Sequence, residues 1–427
     1  AGLVTLDGGC TAKQLLFNGG TNPLSVNFEA GVPFVTRDFE MQGSALLTNI
    51  TLRSAASPSA WLLSVSGYSR VRGVDVKDSD AGGGKPIFPM SSRDSGNNTN
   101  WVFSGPWSTW LGTGSTSFTN PANWSPAVAP NSSSLILVET NNLMIIGTTT
   151  TVQTLLLGGG TGAVQVQVFA PLTVAGDVTV RSNATLWINQ PMTASNDVIV
   201  LAGGMLSHTS NLASETYKLN LTARSNLFVD AGGAVNVNRR GYGSGAGPGV
   251  GPNGGGSSYG GQGMGATVGP VTYGSIIAPT NLGSGSNPNQ GYDKDWGGGA
   301  VILSVGEATT LNGLMTAEGG PRDGNGAAAG GCIFLTTGRL IGSGSIKAQG
   351  GPGNPGGGGG RISVVLTGAG ASFTNFTGSM TASGQGASPG GAGTVYLQGS
   401  GQGAGRGDVI INNGGLGASS LTILPPG

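Results

Sequence analysis

Between Gly297 and Leu397 the chain repeats itself, and this repeat limits the fold more than any single residue does. Three times a glycine pair runs into a short apolar stretch: Gly298-Gly299-Ala300-Val301-Ile302-Leu303, Gly330-Gly331-Cys332-Ile333-Phe334-Leu335 and Gly359-Gly360-Arg361-Ile362-Ser363-Val364. A looser fourth copy is Gly391-Ala392-Gly393-Thr394-Val395-Tyr396-Leu397. A second element recurs between them, ending in Thr316-Ala317-Glu318-Gly319-Gly320, Lys347-Ala348-Gln349-Gly350-Gly351 and Thr381-Ala382-Ser383-Gly384. The period is about thirty residues, within the range of stacked, quasi-one-dimensional architectures. A unit this short cannot bury its own apolar face and must lie against its neighbours. The expected molecule is a rod of strands.

Residues 1–105 carry short alternating runs such as Leu3-Val4-Thr5-Leu6, Ser25-Val26-Asn27-Phe28 and Trp61-Leu62-Leu63-Ser64-Val65. No stretch sustains the period of a helix. Their spacing suits one turn of a β-helix per run, and a sandwich equally. Residues 106–130 form a Trp/Pro-rich connector with Trp107, Trp110 and Trp124. Strands resume over 131–238, for example Leu143-Met144-Ile145-Ile146 and Val164-Gln165-Val166-Gln167-Val168. Residues 239–299 are one long Gly-rich insertion, and 300–427 hold the Gly-rich repeats. The insertion recurs in shorter form at 319–331, 350–360 and 384–393, so the Gly-rich loops are expected to stack. Glycine lacks a Cβ and lets backbone pair with backbone. Extended left-handed segments in a polyglycine-like bundle follow from that composition.

Composition removes several function classes. Only 9% of residues are charged, against about a quarter in an ordinary soluble domain. Net charge is zero, with no basic face for nucleic acid. No apolar run approaches the roughly twenty residues of a membrane span. The chain begins at Ala1, which suits a processed signal peptide or an excised segment. Its Thr/Asn/Gly-rich, Lys-poor make-up suits a secreted or cell-surface protein. Cys10 and Cys332 are the only cysteines and His208 the only histidine, too few for a zinc site. Cys332 reads as a buried small apolar residue.

On Gly297-Gly298-Gly299-Ala300, Gly356 to Ile362 and Gly390 to Leu397, with Tyr273-Gly274-Ser275 and Pro279 to Gly285, the chain resembles Gly-rich β-helical repeat regions of large bacterial surface and extracellular proteins. The middle third, from Asn123-Trp124-Ser125 on, resembles autotransporter passenger domains. Asp75 to Asp80 and Ser95 to Trp101 are similar to coils of right-handed β-helix proteins. The resemblance implies an all-β fold: a right-handed parallel β-helix (solenoid) with stacked Gly-rich loops projecting from one side. It specifies architecture and leaves function open, because such a fold hosts lyases, adhesins and passive stalks.

Each candidate site has a plainer reading beside it. Asp75, Asp78 and Asp80 are the calcium candidates of a polysaccharide lyase. Three carboxylates supply part of the six to eight oxygens calcium takes, and a solvated turn explains them as well. Trp107, Trp110 and Trp124, with Tyr242 and Tyr259, are candidates for stacking on glycans, and core packing is the competing account. Asp293 and Asp295 are a carboxylate pair beside Trp296 with no other mark of catalysis. Arg406-Gly407-Asp408 spells a tripeptide that integrins read, and a turn entering a strand accounts for it. The favoured expectation is a non-enzymatic structural protein needing no cofactor. It would assemble with itself end to end through uncapped apolar strands at Leu3, Leu6, Leu421 and Ile423. Cell-surface or environmental glycans are the alternative partners.

Overall fold

The structure is a computed structural model that describes residues 2–20, 22–43, 48–252, 254–265, 272–286, 295–322, 326–417 and 420–424. It is nearly all β, with strand pairing mostly parallel and two single-turn 3-10 segments, Pro121–Asn123 and Phe373–Asn375, among the described residues. Two compact units emerge, Ala1–Trp107 and Ser108–Gly427.

In the first unit, a five-stranded sheet orders Gly2–Leu6, Leu24–Phe28, Ile50–Ser54, Val74–Val76 and Arg93–Asp94. A six-stranded sheet orders Asn98–Thr99, Ser79–Asp80, Trp61–Val65, Pro33–Gln42 and Cys10–Asn18, with Ser69–Arg72 also pairing Pro33–Gln42. Every pair is parallel, which removes the antiparallel sandwich left open by the spacing. Register stacks like on like: Val4, Val26, Leu52 and Val76 are successive partners. The strand period of two then sends the apolar residues to one side. There Phe28 stacks on Trp61 with ring centroids 3.9 Å apart.

The second unit repeats this logic at greater length. An eight-stranded sheet runs from Leu143–Ile146 through Val164–Val168, Ala184–Ile188, Gly204–Ser207, Ala234–Asn236, Leu314–Thr316 and Ser345–Lys347 to Ser379–Thr381. Its register builds one continuous column: Met144, Val166, Leu186, Leu206, Val235, Met315, Ile346, Met380. All but Met380 are buried. In Val164–Val168 the three valines are buried while Gln165 and Gln167 face away, so alternation in the sequence is inside and outside in the fold. Each such buried side chain contributes about 1.5–3 kcal/mol.

A sixteen-stranded sheet completes the unit. The long strand Ala300–Leu311 joins two lines of strands: it pairs Leu219–Ala223 along its first half and Leu227–Val229 along its second. It then pairs Cys332–Ile341, which leads to Arg361–Leu366 and Thr394–Gln398. The copies seen in the sequence are stacked in register, with Ala300, Cys332, Arg361 and Thr394 as successive partners. The other repeated element does the same through Thr316, Lys347 and Thr381.

Parallel pairing stops at two edges of this sheet. At one, the strand Trp107–Trp110 pairs antiparallel with Trp124–Ser125, so the Trp/Pro-rich segment is a strand pair rather than a bare connector. At the other, Asp408–Ile410 pairs antiparallel with Thr394–Gln398. The run Ser420-Leu421-Thr422-Ile423-Leu424, expected as a strand, is not one. It lies along the glycine segments instead, where Gln262 N–H donates to Leu421 O at 3.0 Å and Thr422 Oγ1 donates to Ala392 O at 2.6 Å.

Those glycine segments form a second layer with its own rule. Gly357 and Gly360 donate to Gly351 O and Ala348 O of one neighbouring segment, Gly358 to Ser257 O, and Gly359 to Gly391 O. Ala328 and Gly331 likewise donate to Gly320 O and Ala317 O of one segment, Ala329 to Ser284 O, and Gly330 to Gly358 O. Donors thus point in three directions and return after three residues, the period of a polyproline-II helix. Each segment is bonded to several others, so the described residues of the long insertion and of the three short ones form one bundle. Its packing excludes side chains: a Cβ on Gly357 or Gly359 would sit well under 3.0 Å from the carbonyl oxygens of Ala328 or Ala382.

Candidate functional site

The calcium candidates are not brought together. Asp75 lies in Val74–Val76 of the five-stranded sheet and Asp80 in Ser79–Asp80 of the six-stranded one. Asp75 Oδ1 is 3.0 Å from Arg53 Nη2, and Asp80 Oδ1 accepts from Gly82 N–H at 2.8 Å. Asp78 adopts a positive φ of 56° and accepts from Asn97 Nδ2 at 2.8 Å. Hydrogen bonds from Ser57 and Asn97 hold its carboxyl below the usual range. Among the described residues no group of three or more His, Cys, Asp or Glu side chains is placed to hold a metal ion.

Four of the five stacking candidates are lost for a different reason, while Trp107 keeps a partly exposed ring. Trp110 is 0% and Trp124 1% exposed, and their ring centroids lie 5.0 Å apart, edge to face. Trp124 Nε1 donates to Phe118 O at 2.7 Å. Trp107 is half-buried and donates to Phe88 O at 3.2 Å. Tyr242 and Tyr259 are buried as well. Rings spent on core packing present no face to a sugar. Of the assembly candidates, Leu3, Leu421 and Ile423 are exposed while Leu6 packs on the core of the first unit. Both cysteines are free, Cys10 exposed and Cys332 buried. Asp293 lies outside the described residues, and Asp295 is bonded by Arg239. Arg406 and Asp408 are exposed on the loop entering Asp408–Ile410.

The densest chemistry lies where the long insertion covers the row Ala300, Cys332, Arg361, Thr394. Tyr242, Tyr259, Leu282, Ala300, Ala329 and Cys332 form an apolar cluster separate from the main core. Tyr259 and Tyr273 have ring centroids 4.7 Å apart, and Tyr273 Oη donates to Leu282 O at 2.7 Å. Burial pushes both phenols well above their ordinary range and the Cys332 thiol up to about 12. Arg361 is wholly buried among them. Its Nε donates to Tyr273 O at 2.9 Å and its Nη1 to Thr394 Oγ1 at 3.1 Å, and its Cζ lies 5.6 Å from the Tyr259 ring centroid. Burial draws the guanidinium pKa down while Tyr259, Tyr273 and Cys332 act the other way. Nearby Glu215 is matched by Lys218 at 2.5 Å and accepts from Asn281 Nδ2 at 3.1 Å.

His208 stands at the point where the insertion returns. Its Nε2 accepts from Ala300 N–H at 3.1 Å, which leaves the proton on Nδ1, placed 2.9 Å from Thr209 O. Burial lowers its pKa to about 4, so the ring is neutral at physiological pH. Both imidazole nitrogens are already engaged, and the buried phenols and thiol stay un-ionised near pH 7. Chemically the cluster is a clamp.

Two further aromatic contacts are partly exposed, one of them at Trp187 on the outward side of Ala184–Ile188. Trp187 is half-buried, with Arg240 Cζ 4.7 Å from its ring centroid. Arg240 Nη1 donates to Ser210 Oγ at 2.8 Å. Phe169 and Tyr217, also half-buried, meet edge to face at 5.8 Å. Sequence reasoning passed over Arg361, His208 and Trp187. Arg361 did carry a signal, since a charge stands where the other copies of the repeat have Ala300, Cys332 and Thr394.

Comparison with protein-family models, with curated proteins and with solved structures finds no match to this chain.

Proposed function

We propose that this is a non-enzymatic structural protein of the cell surface or extracellular matrix. Its stacked strands form a right-handed parallel β-helical shaft with the glycine bundle along one side, akin to bacterial surface repeat proteins. Shafts join end to end into a fibre or sheath by strand addition. The observation that carries this reading is the state of the sheet edges. Gly2–Leu6 and Cys10–Asn18 each have a neighbour on one side only among the described residues, and so does Asp408–Ile410. Leu3 is 68% exposed, and Val409, Ile410 and Ile411 are exposed at the other edge. Unpaired N–H and C=O rows beside apolar side chains are templates for another chain. The low charge of the chain puts little repulsion between copies. Sedimentation velocity at rising concentration, with electron microscopy of the same samples, tests it. Fibres or a concentration-dependent series of oligomers are expected; monodisperse monomers at the highest concentration refute it.

A glycan-binding role is the second reading. It is favoured by the partly exposed Trp187, Phe169 and Tyr217 with Arg240, in place of the buried tryptophans. A glycan array read with the parent and Trp187→Ala separates the two: signal lost in the variant supports binding there, and a silent parent removes it.

A further inference from the structure

The interface between the insertion and the strands contains a charge without a counter-charge. Around the Tyr259–Cys332 cluster the described charged residues include Glu215, Lys218 and Arg361. Glu215 and Lys218 neutralise each other at 2.5 Å. Arg361 forms no ion pair with a described carboxylate, although its side chain is wholly buried. Two of its three nitrogens have protein acceptors, a carbonyl and a hydroxyl, and Nη2 has none. The hydroxyl of Tyr259, whose ring lies beside the guanidinium, is buried and has no nitrogen or oxygen partner; the group beside it is the Cys332 thiol, a weak acceptor. A cationic donor with no acceptor, beside a phenol faced only by a thiol, is costly to maintain in an apolar cluster, and an uncompensated buried guanidinium more than most.

We propose that Arg361 Nη2 and Tyr259 Oη hold a small inorganic anion, of the halide class, that locks the insertion onto the strands. Charge selects an anion over a water molecule, because water satisfies both donors and leaves the guanidinium unbalanced. Packing selects a single atom over carboxylate or phosphate. A Cβ on Gly260 would lie 3.0 Å from Arg361 Cγ, and one on Gly274 would lie 2.9 Å from Tyr259 Cε2. Backbone so close to both side chains leaves little room for a polyatomic ion. The tight donors N–H and O–H are those that bind halides through charge-assisted hydrogen bonds.

The test is thermal unfolding of the full chain at fixed ionic strength, replacing sodium gluconate stepwise by sodium bromide. For a ligand of the folded state the melting temperature climbs with the logarithm of bromide and does so at concentrations above its dissociation constant. The parent is expected to show that climb, and Arg361→Met to be flat. Should Arg361→Met fail to fold, Tyr259→Phe keeps the ring and deletes one donor. Its bromide response is expected to shift to about tenfold higher concentration, the equivalent of one hydrogen bond to a charged group. Crystals grown in bromide are expected to show an anomalous peak beside Arg361. Equal melting in gluconate and bromide, or a water refined at that position in bromide-grown crystals, overturns the proposal.

Discussion

The apolar columns and the glycine bundle of the second unit meet the same demand, that every buried N–H and C=O find a partner, with opposite materials. In the columns the backbone pairs strand to strand and the free energy comes from side chains such as Val166, Leu186 and Leu206, stacked directly over one another. In the bundle there are almost no side chains to bury. Backbone donors radiate in three directions from each segment, and stability rests on segments being close enough to bond. A column tolerates a change of shape at one layer because its neighbours relax. A bundle does not, because its partners are main chain. Low sequence complexity is therefore not low structural demand.

The largest expected effect breaks the bundle. Replacing Gly357, Gly358 and Gly359 together with Ala places three Cβ atoms against the carbonyls of Ala328, Gly261 and Ala382. Overpacking of this kind costs about 1–3 kcal/mol per site. Flexible loops would gain about 0.4–1 kcal/mol per site from a less disordered unfolded state. The two accounts differ in sign, so a melting temperature at or above that of the parent ends the bundle description.

Next comes the column. Leu186→Ala, in the middle of the run from Met144 to Met380, should cost about 2–5 kcal/mol. Denaturant unfolding measures it. A double variant of this site and one bundle glycine should be additive if the layers are independent, and a coupling beyond about 0.5 kcal/mol would show that they are not.

The smaller effect lies at their junction. His208 has a folded pKa of about 4 against 6.5 when unfolded, so the unfolded chain binds the extra proton between those values. Stability is then full above pH 6.5 and falls as pH drops toward 4. The loss is on the order of 3 kcal/mol once the ring is forced to ionise. Denaturation midpoints measured from pH 7.5 to 4 should show that slope, and His208→Gln should flatten it. An unchanged slope would mean that the junction is not closed by the imidazole.

Much of this architecture was legible because it follows from period. The three Gly-Gly-apolar copies and the alternation in Val164–Val168 each dictate which residues stack and which face the core, and the observed register follows them. The site residues were not legible in the same way. Trp110 and Trp124 are chemically suited to sugars, and only their packing against Phe118 removes them from solvent. Asp75, Asp78 and Asp80 are neighbours along the chain, yet Asp75 and Asp80 end in different sheets with Asp78 in the bend between, and each bonds to different partners. Ser420 to Leu424 has the residues of a strand, but the edge beside Thr394–Gln398 is already taken by Asp408–Ile410.

By itself the sequence determined the all-β character, the repeat and the need for neighbouring copies to stack, since these depend on spacings of a few to some thirty residues along one chain. The tertiary structure alone decided that the described residues of 239–299 bond within a bundle, that Arg361 is enclosed by Tyr259, Tyr273 and Thr394, and that His208 accepts from Ala300. These are meetings between residues far apart in the chain. They depend on where a long insertion returns, and no local preference encodes that point of return.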